Sequence, residues 1–250
     1  MTCNYPLIMP TQVLPRSFQT TRWSLVRRAN GDIDAEAVQA LAALCDSYWY
    51  PIYAYIRRSG HSAHDAEDLT QGFFAKLLEK GTLAHADPAK GRLRTFLLAC
   101  VRNFLHNEHE RASAERRGAH LLTSFDQAWA EERFASEPAD ELSPDRLYQR
   151  RWALTLLEFT LQVLEQEYSA DGKRELFAAL RPCLGFSKDK APNYAEIAAR
   201  LGSSEVAVRT QIFRLRQRWR EILFQQVSLT LDDPTSDEIK GELSELLECV

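Results

Sequence analysis

Residues 193–223, NYAEIAARLGSSEVAVRTQIFRLRQRWREIL, decide how the rest of the chain is interpreted. A short helical signal, Tyr194–Leu201, is broken at Gly202, and Ser204 is a suitable N-cap for a second, longer helix. Apolar residues recur in this second helix at spacings of three and four, so they share one buried face. They are Val208, Ile212, Leu215, Trp219 and Ile222. Two helices joined by so tight a turn are typical of a helix-turn-helix.

The same helix carries a second stripe that is basic and contains an aromatic side chain. It comprises Arg209, Phe213, Arg216 and Arg220, with Arg214 and Arg218 on its flank. A basic face opposite an apolar one, after a tight turn, is what a recognition helix needs in the major groove of DNA. The alternative is a helical hairpin whose basic face is only solvated. The turn spacing and the aromatic side chain favour DNA binding.

Composition favours an all-α protein. The 250 residues include only ten glycines and ten prolines, whereas Ala, Leu, Glu, Arg and Gln are frequent. The length suggests one large domain or two small ones, at roughly 100–200 residues per domain.

The net charge of −4 hides a strong segregation of charge along the chain. Residues 90–118 carry seven basic and three acidic side chains, and residues 188–223 carry eight and four, so each segment has a net charge of +4. Residues 119–149 have a net charge of −5 and residues 228–250 of −6. Two basic segments separated by acidic ones predict contact with a polyanion at two places.

No signal in the chain predicts secretion or membrane insertion. The five cysteines are far apart and form no CxxC pair, which favours a reducing compartment over a disulfide framework. No apolar run approaches the roughly 18–20 residues that span a bilayer. The N-terminus lacks a basic start followed by a long apolar stretch. We expect a cytoplasmic protein.

The expected organisation has five parts. Residues 1–19 form a flexible arm, 20–118 a first helical domain, 119–144 an acidic linker, 145–226 a second helical domain with the helix-turn-helix, and 227–250 an acidic amphipathic tail.

Two of the three helices predicted in the first domain have clear boundaries. Ala35–Arg58 is rich in aromatic residues, which we assign to core packing, and Pro51 should kink or end this helix. The next helix begins after the Ser62 cap and runs to about Lys80, with Gly81 as its C-cap. Its apolar stripe is Ala66, Leu69, Phe73 and Leu77.

The third helix, from about Leu93 to Arg111, has an apolar and a polar face. Its predicted core residues are Phe96, Leu97, Cys100, Val101, Phe104 and Leu105. The residues expected toward solvent or a ligand are Arg102, Asn103, His106, Asn107 and His109.

Nothing in the chain predicts catalysis, since it contains no Gly-rich phosphate loop, HExxH motif or nucleophile elbow. His106 and His109 could share a metal, but no other ligand cluster accompanies them, so a polar helix face is the better interpretation. Glu67 and Asp68 are adjacent and point to different faces of a helix, which is poor geometry for acid–base chemistry. We expect no enzymatic activity, no cofactor and no metal.

Three segments together resemble a known family. DAEDLTQGFFAKLLEK (Asp65–Lys80), RLRTFLLACVRNFL (Arg92–Leu105) and the helix-turn-helix resemble regions 2 and 4 of bacterial extracytoplasmic-function (ECF) sigma factors, in the order and spacing of that two-domain family. The resemblance covers about 20–226 and implies a region 2-like bundle in 20–118 and a region 4-like domain in 145–226. The YWYPIYAYIRRSG stretch and the acidic tail resemble a planctomycete-like subgroup with a C-terminal extension.

The resemblance implies contact with core RNA polymerase through the second helix. In that family this helix docks on the clamp coiled coil of the largest subunit, and the matching residues are Asp65, Asp68 and Gln71. The sequence departs from the family at Gly72, where glutamate is usual. This change removes an acidic contact and costs roughly 1 kcal/mol of helix propensity relative to alanine.

The resemblance also implies two promoter contacts. The third helix and the loop after it would bind the −10 element as a single strand, through Arg102, Asn103, His106, Asn107, Arg111, Arg116 and Arg117. Phosphate attraction or a solvated surface is an equal alternative for the last three arginines. The helix-turn-helix would bind the −35 element as duplex, with Arg209, Thr210, Phe213 and Arg214 toward the bases and Arg216 and Arg218 on phosphates.

Two hypotheses apply to the acidic tail, which the minimal family pattern lacks. It could fold back on a basic DNA-binding face and restrain the protein, or it could pack as an amphipathic helix on the second domain.

Three functions stay open from the sequence. The resemblance favours a sigma factor that binds core polymerase and directs promoter recognition and melting. The alternatives are a stand-alone helix-turn-helix regulator and a sigma-like adaptor without DNA binding. Whether an anti-sigma factor is a further partner is not indicated by any residue.

Overall fold

The computed structural model describes residues 35–79, 82–112, 127–137, 142–184 and 193–250. These residues form α-helices and short 3₁₀ turns without a strand, which confirms the all-α prediction. The helices are α1 (Ala35–Arg58), α2 (Ala63–Glu79), α3 (Leu93–Ala112), α4 (Gln127–Ala135), α5 (Pro144–Ala170), α6 (Arg174–Leu180), α7 (Tyr194–Arg200), α8 (Glu205–Ser228) and α9 (Ser236–Glu248). The 3₁₀ turns are Thr82–His85, Pro88–Lys90 and Arg181–Leu184. The expected arm, 1–19, and the expected C-cap Gly81 lie outside the described residues.

The chain divides into two compact units. The first comprises residues 1–155 together with 228–250, and the second comprises residues 156–227. The division therefore falls inside α5, whereas the sequence favoured the acidic segment 119–144. Both acidic segments, including the tail, belong to the first unit.

The helix α1 continues through Pro51 to Arg58, so it does not end at the proline. Proline inside a helix removes one backbone hydrogen bond and costs about 3 kcal/mol. Residues on both sides of it are buried, including Tyr48, Ile52 and Tyr53, and each large apolar side chain contributes about 1.5–3 kcal/mol on burial. Packing of the aromatic segment thus outweighs the local cost of Pro51.

The helices α2 and α3 contribute the rest of the apolar core around the candidate site. Ser62 caps α2 as predicted, because its hydroxyl accepts a hydrogen bond from the Asp65 backbone N–H at 3.2 Å. Phe73 meets Phe104 edge-on, with ring centroids 5.8 Å apart. The buried residues are Ala66, Thr70, Phe73, Phe74 and Leu77 in α2, and Leu93, Arg94, Leu97, Leu98, Val101 and Phe104 in α3. The predicted core residues Leu69, Phe96, Cys100 and Leu105 are half-buried instead.

The helix α4 lies in the segment expected as a linker and packs on α1. Glu131 accepts hydrogen bonds from Arg57 Nε at 2.6 Å and Nη2 at 2.9 Å, and from the Tyr53 hydroxyl. Glu137 accepts a hydrogen bond from the Tyr50 hydroxyl at 3.1 Å. Glu131 and Glu137 are thus specific hydrogen-bonding partners of α1.

The core of the second unit confirms the apolar face predicted for the helix-turn-helix. The predicted residues Val208, Ile212, Leu215 and Ile222 are all buried in this core. Trp219 is partly buried against it and donates a hydrogen bond from Nε1 to the Thr160 hydroxyl at 3.0 Å. The opposite face of α8 is left for solvent or a ligand.

The tail helix α9 is a capped helix that belongs to the first unit. Thr235 and Glu238 form a capping box at its start. Glu242 is buried and makes ion pairs with Arg92 and Arg94. The basic partners of the tail thus lie at the start of α3, in the first unit.

Candidate nucleic-acid interface

The exposed face of α2 is acidic. Asp65 and Asp68 are exposed and Gln71 is half-buried, and their spacing of three places them on one stripe. Gln71 donates a hydrogen bond from Nε2 to Glu67 Oε1 at 3.4 Å. His64 Nε2 lies 3.7 Å from Asp68 Oδ2. The structure thus brings the three predicted polymerase-binding residues together at the surface.

Gly72 lies beside this stripe, with room for a side chain. A Cβ atom at this position would meet Cζ of Phe104 at 3.5 Å, which is an ordinary van der Waals contact. Packing therefore does not require glycine here. The absence of an acidic side chain at this position is a feature of the sequence and not a consequence of the fold.

Four of the predicted −10 residues share the exposed face of α3. Arg102, Asn103, His106 and Asn107 are all exposed, at spacings that keep them on one side of the helix. Arg102 Nε donates a hydrogen bond to Asp145 Oδ1 at 3.1 Å, and this interaction raises the pKa of the guanidinium. Arg102 is therefore partly neutralised within the first unit.

The other three predicted −10 residues are not placed by the structure. Arg111 lies in the last turn of α3, but its side chain is outside the described part, as are residues Arg116 and Arg117 altogether. Their contact with DNA stays a prediction.

The helices α7 and α8 are joined by a short turn, and both helix starts are capped. The Asn193 side chain accepts a hydrogen bond from Ala195 N–H at 3.0 Å, and the Ser204 hydroxyl accepts one from Ala207 N–H at 3.2 Å. Gly202 has a φ of +59°, a left-handed conformation that glycine adopts without steric cost. These local signals set the turn and the start of α8.

The first half of α8 presents an exposed face that is both basic and apolar. Val206 is 75% exposed and Phe213 is 65% exposed, and Arg209, Thr210 and Arg214 are exposed beside them. Spacings of three and four along α8 place these side chains on one stripe. Sequence reasoning missed Val206, although its position three residues before Arg209 and seven before Phe213 was the available signal.

Contacts of Arg209 leave it at the surface. Its guanidinium lies 5.8 Å from the centroid of the Tyr194 ring and 3.8 Å from Glu205. An exposed ion pair of this spacing contributes about 0.3–0.5 kcal/mol. The pair with Glu205 therefore opposes contact between Arg209 and a DNA base only weakly.

Arg216 and Arg218 both donate hydrogen bonds to partners within the second unit. Arg216 donates from Nε and Nη2 to the Cys183 carbonyl oxygen at 3.0 and 2.6 Å. Arg218 makes a bidentate pair with Glu167 at 2.8 and 2.6 Å, and this pair raises its pKa. Both arginines hold α8 to its own unit, a role that the sequence did not predict. Phosphate contact stays a prediction that applies to their remaining N–H groups.

A second basic group lies at the start of α3, and sequence reasoning did not select it. Arg94 donates from Nε to Gln149 Oε1 at 3.0 Å and lies 5.0 Å from the Trp152 ring centroid. Burial lowers its pKa, and the neighbouring charge of Arg92 lowers it further. The partner of both arginines, Glu242, is 148 positions beyond Arg94, so no local pattern could reveal the pair.

No group of three or more His, Cys, Asp or Glu side chains among the described residues could hold a metal ion. None of the described helices combines the length and apolarity needed to cross a membrane.

Comparison with known proteins gives one family match. Residues 46–115 match the family model described as Sigma-70 region 2. The matched residues run from inside α1 through all of α2 and α3, so they include the acidic stripe and the polar face described above. The match supports the sigma-70 family for this part, which is less than half of the chain. Curated proteins and solved structures gave no match.

Proposed function

We propose that the protein is a sigma factor of the ECF type that binds core RNA polymerase and directs promoter recognition and melting. The observation that carries the proposal is the Sigma-70 region 2 match over residues 46–115, because it coincides with the acidic stripe of α2 and the polar face of α3. The protein has no catalytic activity of its own and works in the cytoplasm. The region 4-like role of the second unit and the planctomycete-like subgroup are parts of the same proposal.

The acidic stripe of α2 is the proposed polymerase contact. Asp65 and Asp68 would face the basic clamp coiled coil of the largest subunit, with Gln71 adding a hydrogen bond. Charge complementarity of this kind speeds association and fixes orientation. The exposure of both carboxylates supports the assignment.

The polar face of α3 is the proposed site for the −10 element. Melted DNA requires polar side chains that can hydrogen-bond bases out of the stack, together with positive charge along the backbone. Asn103, His106 and Asn107 supply the first, and Arg102 the second. Arg111, Arg116 and Arg117 would extend the positive charge beyond α3.

The exposed stripe of α8 is the proposed site for the −35 element. Arginine can bind guanine through two hydrogen bonds, and threonine or an apolar side chain can contact the thymine methyl group. Arg209, Thr210, Phe213 and Arg214 supply these groups at the start of a helix that follows a tight turn. Positioning on phosphates then falls to arginines farther along α8.

Binding to core RNA polymerase is the experiment that tests the proposal. We expect the wild-type chain to co-elute with bacterial core polymerase in size-exclusion chromatography. The double variant Asp68→Arg/Gln71→Ala should lose co-elution, because it reverses the charge at Asp68 and removes the Gln71 amide without touching a fully buried residue. Glu132→Arg, an exposed charge reversal on α4, is the matched control and should co-elute. Failure of the wild type to bind, or equal binding by the double variant, would contradict the proposed contact.

A stand-alone helix-turn-helix regulator is the second candidate. Its support is that the helix-turn-helix lies in a compact unit of its own and presents exposed Val206 and Phe213. Salt-dependent binding of duplex DNA, without any binding of core polymerase, would favour this candidate. Polymerase binding that survives Arg209→Glu/Arg214→Glu with unchanged transcription would favour an adaptor without DNA binding.

A further inference from the structure

The start of α3 carries a concentrated positive charge that is covered by the tail. Arg94 has only 6% of its side chain exposed, and Arg92 keeps 31% exposed at the edge of the contact. Both pair with Glu242, whose side chain is completely buried. Two guanidinium groups that share one carboxylate lie close enough to repel one another, and an anion between them offsets this repulsion.

The tail supplies that anion with two carboxylates. Glu242 binds both arginines, and Glu245 accepts a hydrogen bond from Arg92 Nη2 at 2.8 Å. This hydrogen bond holds the pKa of Glu245 below its ordinary value. The helix α9 contains five acidic residues and one lysine, so it brings excess negative charge to the site.

Docking is what keeps the tail helical and in place. α9 has 13 residues, and isolated helices shorter than about 12–15 residues are marginal in water. Its buried apolar residues are Ile239 and Leu246. Because this apolar contact is small, the ion pairs contribute a large part of the docking free energy. Another anion can take the place of the tail carboxylates in these ion pairs.

Arg92 directly precedes α3, the helix that carries the polar face. It lies eleven residues before Asn103, which corresponds to about 16 Å along the helix axis. A nucleic-acid strand lying on Asn103 would therefore reach Arg92 by extending about 16 Å toward the start of α3.

We propose that Arg92 and Arg94 form a binding site for the phosphate backbone of single-stranded DNA, and that α9 masks this site until a strand displaces its carboxylates. The inference rests on the proposed function, because it extends the −10 interface along α3. Carboxylate and phosphate are both bidentate partners for arginine.

Release of the tail depends on the DNA strand, because a phosphate of the strand has to replace the tail carboxylate that leaves. Withdrawing Glu242 without a replacement would leave Arg92 and Arg94 close together without the carboxylate that they share, which is unfavourable. A phosphate that takes the place of Glu242 restores the pairing. The masked site thus opens when a polyanion arrives and stays closed otherwise.

The test is binding of fluorescein-labelled dT20 to the full chain, followed by fluorescence anisotropy. Glu245→Gln removes an exposed competitor of Arg92 and should raise the affinity about fivefold, as expected for loss of an ion pair near the upper end of surface values. Glu248→Gln removes the same charge from the same helix, at an exposed position, and should change nothing. Adding Arg92→Ala to Glu245→Gln should abolish the gain.

Equal affinities of the wild type, Glu245→Gln and Glu248→Gln would overturn the masked site, as would absence of dT20 binding in every variant. Hydrogen exchange gives a second readout, because α9 amides should exchange faster when dT20 is bound. Unchanged exchange on binding would overturn the displacement. Co-elution with polymerase is independent of these outcomes, so failure of the masked site and failure of the proposed function are distinguishable.

Discussion

Hydrogen bonding of single residues distinguishes the arginines of α8. Arg209, Arg214 and Arg216 are all exposed, but Arg216, like Arg218, donates hydrogen bonds to a partner in its own unit. Sequence spacing alone places all four on or beside one basic stripe. Only the positions of Cys183 and Glu167, from earlier helices, decide which arginines are committed.

Val206 and Phe213 are expected to recognise thymine methyl groups in duplex DNA. Burial of one methyl group is worth about 0.8 kcal/mol, roughly a fourfold change in Kd. On a duplex selected from a random pool by the wild-type chain, replacing a contacted thymine with uracil should weaken binding by that factor. Val206→Ala or Phe213→Ala should weaken binding similarly and remove the effect of uracil at its own position.

Gln217→Ala, an exposed change farther along α8, serves as the control in these anisotropy titrations. It should keep the full response to uracil. A uracil effect that is the same in every variant would show that neither apolar side chain contacts a methyl group.

Helix ends and helix interiors place opposite demands on glycine in this protein. Gly72 is inside α2, where glycine costs about 1 kcal/mol relative to alanine and where a Cβ fits at 3.5 Å from Phe104. Gly202 is in the turn before α8, where a φ of +59° disfavours any residue with a Cβ.

The same substitution should therefore have opposite effects at the two positions. Gly72→Ala should raise the free energy of unfolding by up to about 1 kcal/mol, and Gly202→Ala should lower it by about 1–2 kcal/mol. Nothing lies within 4 Å of a Cβ at Gly202, so its loss would come from the backbone alone. Urea denaturation of both variants measures the two signs, and a destabilising Gly72→Ala would mean that packing against Phe104 is tighter than the structure shows.

The docking of α4 on α1 is expected to weaken in acid. Hydrogen bonds from Arg57, with a smaller contribution from Tyr53, hold the pKa of Glu131 below its ordinary value near 4.5. A carboxylate with a depressed pKa stabilises the folded chain above its ordinary pKa, and this contribution is lost as the pH falls through the depressed value. Glu131→Gln should lower stability at neutral pH and flatten the fall in stability below about pH 4.5.

Urea denaturation at a series of pH values checks this expectation. Glu132→Gln changes the exposed neighbour on α4 and should leave the acid response intact. An unchanged acid response in Glu131→Gln would assign the loss of stability to other carboxylates.

Across the whole molecule, the sequence predicts what local signals determine and misses what distant pairs determine. The two helices α7 and α8 and the turn between them were predictable because their caps, their turn glycine and their apolar spacing lie within one short segment. The docking of α4 and α9 was not, because Glu131 is 74 positions from Arg57 and Glu242 is 148 positions from Arg94. Charge segregation indicated that acidic and basic segments would interact, but it did not indicate which basic segment each acidic segment would contact.

The return of the tail to the first unit has a consequence for synthesis of the protein. Residues 228–250 are synthesised after residues 156–227, yet they belong to the same unit as the earlier residues 1–155. Domains made early usually fold while synthesis continues, but here the buried partner of Arg94, Glu242, is synthesised only after the whole second unit. The first unit would therefore reach its final state later than its early place in the chain implies. Prematurely terminated chains would carry an incomplete first unit.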